Sequence, residues 1–139
     1  KNPNFNTDKR TDVIVYLQAD TCVKCFTQTP ELTVSVGNNV GLRFPIDGPQ
    51  VFLKKIRVKA ADLGTEEWTD LRLSMNESFV PKNLNPPLND DDRELGVNVY
   101  HLYVVDAGLA GSPEGVVDAV ALAPAAPSPA AAVPAAKKP

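Results

Sequence analysis

Short apolar stretches that alternate with polar residues every second position, separated by glycine, asparagine and proline, dominate this chain and most restrict its fold. Period two places side chains on opposite faces of an extended strand, whereas a helix needs a period near 3.6. The stretches are rich in β-branched and aromatic residues, which favour strands. Candidate strands are 12–18, 31–36, 40–44, 51–59, 70–75, 97–106 and 116–122. Turns are set by Gly37-Asn38-Asn39, by Asp47-Gly48-Pro49 and by the Gly108 to Gly111 stretch, where a positive or fixed φ is needed between strands. The expected fold is all-β, a single antiparallel β-sandwich of about seven strands.

Two strands stand out by pattern. Val97 to Val105 is apolar on both alternating faces, which predicts a central, doubly covered strand. In 51–59 one face carries Lys55, Arg57 and Lys59, with Lys54 on the other. Ala60 to Trp68 has room for one helical turn, but Gly64 interrupts it and the segment reads as a loop. Residues 83–94, with Pro86-Pro87 and three successive aspartates, form the longest irregular connection. Binding concentrates on such loops.

The ends differ from the middle. Residues 1–11 are polar and read as a weakly ordered arm, and 12–122 as the domain. Residues 123–139 hold eight Ala and five Pro with almost nothing able to fill a core. Pro124, Pro127, Pro129 and Pro134 fix φ and remove amide donors, so this tail reads as an extended spacer or a docking segment between subunits. At 139 residues there is room for one core.

The net charge of −3 becomes −5 for the body once Lys137 and Lys138 are set aside. No global basic excess would draw the chain to nucleic acid or an anionic membrane. No apolar run of about 18 residues exists to cross a bilayer as a helix. The chain begins at Lys1, which fits removal of a leader as it fits an incomplete sequence; with the cysteine spacing, this gives an expectation of an extracellular, cell-surface or virion location.

Leu32 to Phe44, with its strand, Gly-Asn-Asn turn and second strand, resembles the unit near the start of cupredoxin-like and immunoglobulin-like secreted β-sandwiches. Tyr100 to Asp106, a Gly-rich turn and Val116 to Leu122 are similar to the closing hairpin of small domains of that kind. The resemblance covers about two thirds of the body and implies an architecture. It carries no copper site, because such a site takes two His, a Cys and usually a Met, and His101 is the only histidine.

Candidate chemistry is sparse. Cys22-Val23-Lys24-Cys25 has the CxxC spacing of a local disulfide, a redox dithiol or half a zinc site. Asp90, Asp91, Asp92 and Glu94 crowd four carboxylates within five positions, the oxygen density that calcium uses, or a solvated acidic loop. Lys55, Arg57 and Lys59 read as a stripe neutralised by a neighbouring strand, through Asp70 or Glu66, or as a surface matching another subunit. His101 reads as a hydrogen-bonded structural histidine and Trp68 as a core or edge anchor. Asn76-Glu77-Ser78 satisfies the N-glycosylation sequon. No nucleophile elbow, Walker loop or Rossmann glycine pattern is present, so hydrolase, NTPase and dehydrogenase chemistries have no motif behind them. The expectation is a non-enzymatic structural or interaction module that self-associates or joins a larger protein assembly. Its alternatives are a domain binding a small ligand, carbohydrate or calcium through 83–94, and a thiol redox protein.

Overall fold

Alternating apolar residues form strands where the sequence pattern places them. The computed structural model describes residues 1–5, 10–37, 39–110 and 114–122, and these are mostly β. The strands are β1 (Val13–Asp20), β2 (Glu31–Val36), β3 (Val40–Pro45), β4 (Phe52–Val58), β5 (Leu71–Met75), β6 (Asn98–Asp106), β7 (Val116–Asp118) and β8 (Val120–Ala121). They build two four-stranded sheets, ordered β6-β1-β4-β7 and β5-β2-β3-β8. Every pairing is antiparallel except β4 with β7.

One hydrophobic cluster joins the sheets. β1 contributes Val13, Val15, Leu17 and Ala19, β2 contributes Leu32, Val34 and Val36, and β4 contributes Ile56 and Val58. These are the alternate residues of each strand, so period two translates directly into an inward face.

The stretch 116–122, read as one strand, is divided between the sheets. Val116 to Asp118 pair in parallel with Lys55 to Arg57, and Val120 and Ala121 pair with Gly41 and Val40. Only Ala119 lies between them, and its amide donates to the Arg57 carbonyl at 2.8 Å. The β7 edge and the β8 edge therefore lie on the same side of the molecule. β6 and β5 form the edges on the other side.

The segment read as a loop after β4 does hold a helical turn, α1 (Ala60–Leu63), ended by Gly64 at φ 71°. Asp12, just before β1, accepts the Ala60 amide at 2.9 Å and fastens this turn to the first sheet. A second turn, α2 (Ala107–Ala110), follows β6.

Residues 1–5, polar in sequence, are held against the body. Asn2 is 3% exposed, and its Nδ2 donates to the carbonyls of Leu63, Gly64 and Glu66 at 3.0, 3.2 and 3.0 Å. Asn4 and Thr11 exchange hydrogen bonds, Nδ2 to the Thr11 carbonyl and the Thr11 amide to Oδ1. Trp68, expected as an anchor, is instead 67% exposed.

Candidate interaction surface

β6 is the strand whose environment departs furthest from its sequence pattern. It was expected in the middle of a sheet, yet it is an edge strand that pairs, among the described residues, with β1 alone. Val99, Tyr100, Leu102, Tyr103 and Val104 are all exposed. Leu102 lies opposite Leu17 and Val104 opposite Val15, and both β1 residues are fully buried. Leu102 and Val104 therefore belong to the inward face, but 39% and 47% of their surface stays open because the second sheet does not reach over them. The doubly apolar pattern reflects no doubly covered strand.

The outward face of β6 is aromatic. Tyr103 lies opposite Tyr16, and their rings stack with centroids 5.0 Å apart at 12°. Tyr16 in turn lies opposite Lys55, so one row across the sheet reads Tyr103, Tyr16, Lys55, Val116. The regular ladder stops at Tyr100, where Gln18 faces His101 but Ala19 faces Val99, leaving Tyr100 as the extra residue of a bulge. The Tyr100 hydroxyl donates to Asp20 Oδ2 at 3.0 Å. That carboxylate, accepting its proton, holds the phenol above its ordinary pKa. His101, which the sequence reads as a hydrogen-bonded structural histidine, is exposed on this strand.

The connection from β5 to β6 is tethered at several points. Phe79 and Leu95 exchange backbone hydrogen bonds at 2.9 and 2.7 Å, and the Lys82 amide donates to the Asp91 carbonyl at 2.9 Å. Thr21 Oγ1 donates to the Gly96 carbonyl at 2.6 Å. A cleft of about 410 Å³ opens where β1 ends and β6 begins, lined by Asp20, Thr21, Phe79, Leu88, Leu95 and Gly96 among others.

The residues singled out from sequence fall in separate places. The Cys22 and Cys25 sulfurs are 2.02 Å apart, the separation of a disulfide, across a 3₁₀ turn between β1 and β2. The next residue, Phe26, packs edge-on against Phe79 at 5.2 Å, so the cysteine turn supports the base of the long connection. The four carboxylates do not converge. Asp90, Asp92 and Glu94 are exposed, while Asp91 is taken by Arg93, whose Nη2 and Nε reach its two oxygens at 2.6 and 2.9 Å. That side chain and the Arg93 amide hold the Asp91 carboxyl at about 2, down from an ordinary 3.8. Among the described residues no group of three or more His, Cys, Asp or Glu is arranged to hold a metal, for calcium or for zinc with Cys22, Cys25 and His101.

Lys55, Arg57 and Lys59 follow the outward face of β4 and its end, as period two requires. The partners are not those expected. Lys55 donates to the Glu114 carbonyl at 2.8 Å and Arg57 to Asp12 at 3.4 Å, while Asp70 pairs with Arg72 in the other sheet. Lys54, on the opposite face, sits 4.6 Å over the Phe44 ring. Pro124, Pro127, Pro129 and Pro134 lie outside the described residues. No helix among the described residues is long and apolar enough to cross a membrane.

Comparison with known proteins returns no matching family model, no similar curated protein and no similar solved structure.

Proposed function

We propose that the chain is a non-enzymatic structural or interaction module, a β-sandwich of the immunoglobulin-like or cupredoxin-like kind that takes part in a surface, envelope or virion assembly. Its docking element is β6, and residues 123–139 space or clasp neighbouring subunits. One observation carries this reading: a nine-residue edge strand leaves apolar and aromatic side chains exposed on both faces. Soluble proteins guard such edges with lysine, proline, inward charges or a covering segment. Between Asn98 and Val105, β6 has none of these residue types, and its bulge lies at one end. An edge that no other described strand pairs with offers a partner a row of backbone donors and acceptors together with apolar contact.

The cysteine sulfurs at bonding distance support an extracellular setting, where a local disulfide persists. Redox use finds less support, since the pair spans a single 3₁₀ turn and lacks the long helix N-terminus that activates such thiols. Truncation after Leu122 tests the tail: the domain should keep its melting temperature while higher-order assembly weakens. A truncated protein that assembles as well as the full chain would remove the tail from the proposal.

The cleft beside residues 83–94 favours a second reading, the binding of a small ligand. Thermal shift with a sugar panel and with calcium tests it; a Tm unchanged by every compound would count against it.

A further inference from the structure

Building on the assembly reading above, we propose that β6 pairs with β6 of a second copy of this chain, antiparallel about a two-fold axis through Tyr103. The two β6-β1-β4-β7 sheets then join into one continuous sheet of twice the width. The observations on β6 select this occupant, this direction and this register.

The occupant follows from chemistry and topology. A strand added antiparallel to an edge donates to it the N–H of every second residue. In residues 123–139 proline interrupts both alternate sets, at 124 and 134 and at 127 and 129, and the segment follows Leu122, which lies beside β3 and β8. The β8 edge lies on the side away from β6, so Leu122 lies across the molecule from the β6 edge. A second β6 supplies a donor at every position, because the strand contains no proline.

Direction follows from the faces. Joining two copies of one edge in parallel needs a two-fold axis along the strands, which turns one sheet over and runs the inward face of one copy, with Leu102 and Val104, into the outward face of the other. An axis perpendicular to the sheet reverses the strand and keeps inward face beside inward face, so the pairing is antiparallel.

Register follows from the bulge and the pleat. The regular ladder runs from His101 onward, and Tyr100 interrupts it. A two-fold axis perpendicular to the sheet must bring inward side chains against inward ones and outward against outward. Centring on Tyr103 does this for every residue from His101 to Val105. Leu102 then meets Val104 of the second copy on the inward face, covering the two side chains that the second sheet leaves open. On the outward face His101 meets Val105, and the stacked Tyr16 and Tyr103 continue into the same pair of the other copy. Centring on Leu102 would bring the Tyr100 bulge against Val104, and centring on Val104 would bring Asp106 against Leu102.

Cysteine cross-linking under mild oxidation tests the register, with the native Cys22 and Cys25 left in place. Opposed Cα atoms in an antiparallel pair lie about 4.5 to 5.5 Å apart, within the roughly 4.4 to 6.8 Å that a disulfide spans. Tyr103→Cys should therefore form a covalent dimer. His101→Cys alone should not, because its two copies lie four residues apart, roughly 14 Å. Mixing His101→Cys with Val105→Cys should restore the link. Val104→Lys, at an exposed position, should leave the melting temperature of the dilute monomer unchanged and weaken association at least tenfold.

If Tyr103→Cys links no better than His101→Cys, and Val104→Lys assembles like the parent, pairing through β6 is overturned while assembly by another surface stands. A parent protein that stays monomeric at every concentration overturns both.

Discussion

Asn2 shows how much a single polar side chain can hold. Its amide satisfies three carbonyls around α1 more than sixty positions away, and the residue is almost fully buried. Asn2→Ala removes these bonds and leaves the buried Asn4 amide without the Oδ1 that accepts it at 2.9 Å, at a cost of about 1 to 3 kcal/mol, readable as a lower denaturation midpoint in urea. Nothing in the local sequence announces this role, because an asparagine near a chain end reads as a solvated residue until its distant partners are known. Asp91 is a second such case. Four neighbouring carboxylates suggest a cation, but Arg93 two positions on satisfies the central one. With a folded pKa of about 2 against an ordinary 3.8, the Arg93 contacts add stability that is present above about pH 4. It is lost as the pH falls through about 2. In a carboxyl NMR titration Asp91 should titrate near 2, and in Arg93→Ala it should move up toward 3.8; an unchanged midpoint would show that the arginine does not hold it. The cysteine turn was the most legible of the candidate sites, since a separation of three already limits what two thiols can do.

At the scale of elements, strand existence was readable and strand neighbourhood was not. β2 runs over the same residues as its period-two pattern, and β1, β3, β4, β5 and β6 differ from theirs by one or two residues at an end. The 116–122 stretch reads as one strand because alternation does not reveal that the chain changes sheets at Ala119. β6 carries the larger lesson. Apolar residues on both faces record that a strand is suited to cover, but a periodicity is silent on whether the cover comes from its own chain. Aspartate substitution separates the two cases. Val15→Asp buries a carboxylate among β1, β2 and β4, costing several kcal/mol of a total of roughly 5 to 15, so little folded protein should be recovered. Val104→Asp, nearly half exposed directly opposite it in β6, should fold with a melting temperature close to the parent's. Equal loss of soluble protein in both would place β6 in the core after all.

The whole molecule has two unlike sides. On one, the chain crosses from β7 to β8 through Ala119 alone; on the other, β5 and β6 are joined by the long tethered connection of residues 76–97. The charge of the chain is modest and negative, so it is no obstacle to contact at physiological salt, where fields fade within about 8 Å. A two-fold contact through β6 would cover the apolar edge and leave β5 and β8 outside the pair, available for further contacts. Light scattering of the full chain across a concentration series, beside Val104→Lys, tests the central claim most directly. Self-association through β6 predicts a mass rising from 14.9 kDa to twice that value with concentration, and a variant that stays at 14.9 kDa while remaining folded. A parent fixed at 14.9 kDa throughout, or a variant whose mass rises along the same curve as the parent's, would contradict it.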